Sequence, residues 1–151
     1  AHRKSLIIKP REFWPRMSSG LSMDLIDSKS GVNYFKIHWS KEYKEIQKQF
    51  IACVNTGDPN TLGQVRLILI LHALFFPNLV IAIARAPYHI DTLLQLAEAF
   101  KFMGELDSSL DLIDRALYAF ECSWHNLFNP VTHNNQRLEY KHPENRYDTR
   151  Y

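Results

Sequence analysis

The sequence is poor in the residues that build small secreted scaffolds and lacks the short motifs that carry catalysis. Its two cysteines, Cys53 and Cys122, both fall in stretches of helical pattern. A disulfide framework is therefore excluded, and a reducing compartment fits better than an oxidising one. No Asn-x-Ser/Thr acceptor occurs, and the chain opens on Ala1-His2-Arg3-Lys4 without a leader-like apolar run. There is no phosphate-binding Gly-Lys-Ser/Thr loop, no dinucleotide-binding glycine fingerprint and no pair of metal-binding histidines one helical turn apart. Gly20-Leu21-Ser22-Met23-Asp24 imitates a nucleophile elbow, but its second glycine is missing and no strand leads into it. Cys122, His125, His133 and His142 offer one thiol at irregular spacing, not the two close pairs of a zinc site. These absences exclude an enzyme, a cofactor and a bound metal from the reading.

What is present is enough apolar residue, 46%, for one domain with a hydrophobic core in 151 residues. The net charge of +2 is too mild for a dedicated nucleic-acid binder, yet it is unevenly spread. Residues 1–16 carry Arg3, Lys4, Lys9, Arg11 and Arg16 against Glu12. Residues 90–121 carry Asp91, Glu98, Glu105, Asp107, Asp111, Asp114 and Glu121 against Lys101 and Arg115. A basic arm thus precedes an acidic helical region. Arginine and lysine beside Phe13 and Trp14 suit contact with RNA or with an acidic protein surface, and equally suit a solvated arm.

Five segments follow from the pattern. Residues 1–39, with Pro10, Pro15, Gly20 and Gly31, read as an extended docking arm; alternation over Tyr34 to Trp39 marks a short strand within it. Its clusters Leu6-Ile7-Ile8, Phe13-Trp14 and Leu21 to Ile26 need cover, since burial of each large apolar side chain is worth roughly 1.5–3 kcal/mol. Residues 40–64 hold an amphipathic helix capped by Ser40, with Tyr43, Ile46, Phe50 and Cys53 on one stripe and Gly57-Asp58-Pro59 as its stop. Residues 65–84, Val65 to Ala84, are apolar on every face. Twenty such residues suffice to span a bilayer, but Pro77-Asn78 divides the run and His72 sits inside it, so a membrane span is disfavoured.

Residues 85–124 pair two helices across Gly104. Leu93, Leu96, Ala97 and Phe100 line the first, and Leu106, Leu110, Ile113, Leu117 and Phe120 the second. The spacing follows the tetratricopeptide pattern, with Ser109 and Ala116 at its small-residue positions. The expected fold is mainly α: tetratricopeptide-like hairpins of an α-solenoid behind an extended N-terminal arm. One hairpin cannot bury both faces, so neighbours are expected on each side. Residues 125–151 read as a truncated extension, and both chain ends as incomplete.

Several blocks together resemble the family called transcription factor 25 in animals and ribosome quality control complex subunit 1 in yeasts. They are Trp14-Pro15-Arg16 with Ser19 to Met23, His38 to Tyr43, Gly57 to Asn60, Pro87 to Leu96, Arg115 to Cys122, and Arg137 to Arg146. Against that family Val65 to Ala84 looks inserted, as a retained intron translated in frame would. The resemblance implies a non-catalytic adaptor in ribosome-associated quality control, cytoplasmic and also nuclear. It would act at the large ribosomal subunit beside a listerin-type RING ubiquitin ligase and an AAA+ unfoldase. The alternative is a nuclear transcriptional regulator. Trp14, Pro15, Arg16, Gly20, Leu21, Ser22 and Met23, with Pro87, Tyr88, His89 and Asp91, are the candidate surface for a partner or for an intramolecular strap. Packing alone is the competing reading for Trp14 and Tyr88.

Overall fold

A computed structural model describes residues 7–54 and 85–146. The apolar run Val65–Ala84 lies outside the described residues. Among them the elements run β1 (Leu21–Lys29), β2 (Val32–Trp39), α1 (Lys41–Val54), α2 (Ile90–Phe102), α3 (Leu106–Ser123) and β3 (Gln136–Leu138), followed by a 3-10 turn at Pro143–Asn145. No helix among the described residues is long and apolar enough to cross a membrane.

This overturns the expected mainly α, tetratricopeptide-like solenoid: the described residues form three helices and a three-stranded mixed sheet, ordered β1-β2-β3. Much of the arm is in fact a β-hairpin. β1 and β2 run antiparallel from Leu21 opposite Trp39 to Lys29 opposite Val32. Ser30 (φ 52°) and Gly31 (φ 76°) close them, and two positive φ values in a two-residue loop match the right-handed twist of the strands. The register shifts between Leu25 and Asp27, a bulge that breaks the period-two pattern. β3 then joins β2 in parallel, Asn33 to Phe35 facing Gln136 to Leu138.

The helices form because their apolar positions recur at three and four. Ser40 Oγ accepts from Tyr43 N at 3.1 Å and caps α1. α2 and α3 make an antiparallel pair turned at Gly104, with Ser109 Oγ donating to the Ala97 carbonyl at 2.7 Å across it. Among the described residues, this pair is covered by the sheet and by α1. Phe120 and Trp124, at the end of α3, pack on the sheet face built by Met23, Phe35, Ile37 and Phe128. A second core joins Ile90, Leu93 and Ala116, and a third joins Trp14, Tyr88, Tyr118 and Ala119.

Candidate functional site

α3 divides into faces by its 3.6-residue period. Ser109, Leu112, Ala116 and Phe120 face inward. Asp111, Asp114, Tyr118 and Glu121, spaced three, four and three apart, form a second face on one side of the helix. The strap of residues 7–15 lies on that second face and runs opposite to the helix. Glu121, buried, accepts the Ile7 amide on one carboxylate oxygen at 3.1 Å and the Ile8 amide on the other at 3.0 Å. Arg11 pairs with Asp111 at 2.9 Å and with Asp114 at 3.1 Å. The Trp14 indole donates to Asp111 Oδ1 at 3.0 Å, and its ring lies 5.6 Å from Tyr118. Tyr88 Oη donates to the Pro15 carbonyl, closing the strap. Burial raises the Tyr88 pKa, which keeps the hydroxyl a donor.

The strap turns into the sheet at Gly20. Gly20 has φ +71°, its carbonyl accepts from Ser40 N at 2.8 Å, and a Cβ there would lie 2.7 Å from Ser40 Oγ. Only glycine meets both conditions, the left-handed backbone and the close approach to the α1 cap.

The Pro87–Asp91 turn is held from α1 by a hydrogen-bond relay through Gln47. His89 Nε2 lies 2.7 Å from Gln47 Oε1, and Gln47 Nε2 donates to Asp91 Oδ2 at 2.6 Å. His89 Nδ1 accepts from Thr92 N at 3.3 Å, which caps α2. Tyr43 Oη accepts from Ile90 N at 3.2 Å, and the Tyr43 ring lies 4.7 Å from the His89 imidazole. These contacts require the neutral tautomer protonated on Nε2. Burial accordingly lowers the His89 pKa from 6.5 to about 4. With His89 only 1% exposed, the relay fastens α1 to α2 and offers a substrate no access.

The eleven residues singled out in the sequence thus divide by position. Trp14, Tyr88, His89, Asp91 and Met23 are buried, Met23 in the sheet core. Leu21 and Pro87 are half-buried, whereas Pro15, Arg16, Gly20 and Ser22 are exposed. Trp14, Pro15 and Tyr88 come together at one end of the strap. His89 and Asp91 join Gln47 instead, and Leu21 and Met23 join the sheet. Sequence reasoning missed Glu121, Asp111 and Asp114 as the strap's seat. The available signal was their common helix face, complementary to the basic arm. A third face of α3 carries Leu106, Leu110 and Leu117 at 58%, 56% and 48% exposure.

Three comparisons bear on identity. A family model described as "Transcriptional repressor TCF25" matches residues 70–147. The human "Ribosome quality control complex subunit TCF25" is 38% identical over 138 residues, which is 91% of this chain and 18% of that protein. "Ribosome quality control complex subunit 1" of Schizosaccharomyces pombe is 34% identical over 146 residues, 95% of this chain and 20% of that one. "Probable transcription factor claV" of Ampulloclitocybe clavipes is 32% identical over 120 residues, 80% of this chain and 13% of that one. The chain therefore spans a fifth or less of the length of these relatives. No solved structure matches it.

Proposed function

The chain belongs to the TCF25 family, and from that premise we propose that it is part of a non-catalytic adaptor of ribosome-associated quality control. The observation that carries this reading is its likeness to relatives named as ribosome quality control complex subunits in both human and fission yeast. In this role it assists ubiquitination of stalled nascent chains by a listerin-type RING ligase on the large ribosomal subunit, and their extraction by an AAA+ unfoldase. It works in the cytoplasm, and also in the nucleus.

The geometry supports binding over chemistry. The buried polar groups of the His89 relay are committed to one another. What α3 offers outward is the leucine stripe, a surface suited to a protein partner. Arg11 is engaged by Asp111 and Asp114, so among the described residues RNA contact by the arm rests on Lys9 and Arg16, both exposed. The names "Transcriptional repressor TCF25" and "Probable transcription factor claV" favour a second reading, a nuclear regulator.

Affinity purification of the full-length parent at moderate salt, followed by mass spectrometry, separates the two. Recovery of large-subunit proteins and a RING ligase, reduced when Leu106, Leu110 and Leu117 are all changed to Ser, is the expected result. Recovery of chromatin proteins instead favours the nuclear regulator, and binding that falls steeply with salt identifies phosphate contacts.

A further inference from the structure

The contacts of the strap have the form of peptide recognition more than of core packing. Glu121 reads two consecutive main-chain amides and is indifferent to the side chains that follow them. Asp111 takes both the Arg11 guanidinium and the Trp14 indole, and so reads an Arg-x-x-Trp spacing. Tyr88 reads the carbonyl after the tryptophan. Arginine and tryptophan are among the residue types that most often anchor protein interfaces.

The strap itself is lightly held. Ile7 and Phe13 are 64% and 70% exposed, and the Arg11 side chain 44%. Arg11 bridges two carboxylates, of which the Asp111 side chain is only 16% exposed, so this pair shares the hold with Trp14 and the Glu121 clamp. Without the strap, Glu121 loses both of its amide donors, and a replacement segment that presents two consecutive amides restores them. Next to Phe13 an open cleft of about 390 Å³, bordered by Phe100, Asp107 and Leu112, leaves room for a bulkier residue between the arginine and the tryptophan.

The geometry points to α3 as a peptide-binding groove that accepts a partner segment of Arg-x-x-Trp-Pro type, its Arg-x-x-Trp part turned as Arg11 to Trp14 is by the bond from Trp14 N to the Arg11 carbonyl at 3.0 Å, with the chain's own strap as its resident occupant. A partner that carries this segment displaces the strap and docks in its place. The groove deepens the adaptor reading, on which it rests for its biological use. Peptide binding and ribosome recovery are separate measurements, so either fails alone.

The test uses the whole chain and an N-acetylated peptide of residues 7–16, fluorescently labelled at its C-terminus. Binding is followed by fluorescence anisotropy. The intact chain binds weakly because the tethered strap competes at high effective concentration. Arg11→Glu, which sets a carboxylate against Asp111 and Asp114, binds the peptide at least tenfold more tightly. A peptide with its tryptophan replaced by alanine loses that gain. As a second measurement on the unmutated strap, the chain is labelled with 5-fluorotryptophan, and the Trp14 fluorine resonance is assigned through Trp14→Phe. Millimolar unlabelled peptide moves that resonance to an exposed position. A folded Arg11→Glu chain that binds no more tightly than the unsubstituted one overturns the groove, and so does a Trp14 resonance that stays in place.

Discussion

The amide of Ser40 donates to the carbonyl of Gly20 at 2.8 Å, so the residue that ends the strap's connection also sits against the cap of α1. At φ +71°, with Ser40 Oγ 2.7 Å from where a Cβ would lie, Gly20→Ala strains the backbone and pushes the capping hydroxyl off Tyr43 N. Together these cost about 2 kcal/mol. Urea denaturation checks it, and a cycle with Ser40→Ala is sub-additive because both changes damage the same cap.

The buried neutral imidazole of His89 makes stability fall with acid. Its pKa is lowered to about 4 in the fold against 6.5 unfolded, so the unfolded chain binds the proton first. The contribution is fully present above pH 6.5 and is lost as pH falls toward 4, with an upper bound of about 3 kcal/mol. Urea midpoints measured from pH 7.5 to 4.5 should decline over this window. His89→Gln, less stable at pH 7.5, should show a shallower decline.

Loss of the Trp14 ring empties the cluster with Tyr88, Tyr118 and Ala119 and costs about 3 kcal/mol as Trp14→Ala. Trp14→Phe retains most of the packing and loses the bond to Asp111, at about 1 kcal/mol. A thermal melt of each variant distinguishes the two terms.

Asn145 completes the open side of β2. Its Oδ1 accepts from Ile37 N at 2.8 Å, and its Nδ2 donates to the carbonyls of Phe35 and Glu139 at 3.2 and 2.8 Å. Asn145→Leu takes the partner from the Ile37 amide, whereas the Phe35 carbonyl keeps the Glu139 amide at 3.3 Å and the Glu139 carbonyl the His142 amide at 3.2 Å, at a cost of about 2 kcal/mol. Hydrogen exchange should show the Ile37 amide losing protection more than amides within α2.

The periodic signals in the sequence were local ones, and they located local elements. Ser40 followed by Tyr43, Ile46 and Phe50 marks α1, and the apolar spacing on either side of Gly104 marks α2 and α3. The alternation from Phe35 to Trp39 marks β2. β1 was hidden because the bulge after Leu25 sets Leu25 beside Ile26 and breaks the alternation. β3 was hidden because three residues are too few to show a period. Missing both strands is what made a helical solenoid the natural reading. Of the candidate site, the charged arm and the acidic helix were each legible, but their pairing spans about a hundred residues, as in Arg11 to Asp114. No windowed pattern reports a contact of that range.

The side chain that completes β2 lies 108 residues downstream, at Asn145. Translation proceeds at about 5–20 residues per second, so a nascent β1-β2 hairpin waits for roughly 5–20 s before the tip that finishes its sheet leaves the exit tunnel. Through that interval the outer edge of β2 is open to any chain nearby, and the sheet is complete only once Asn145 has been made.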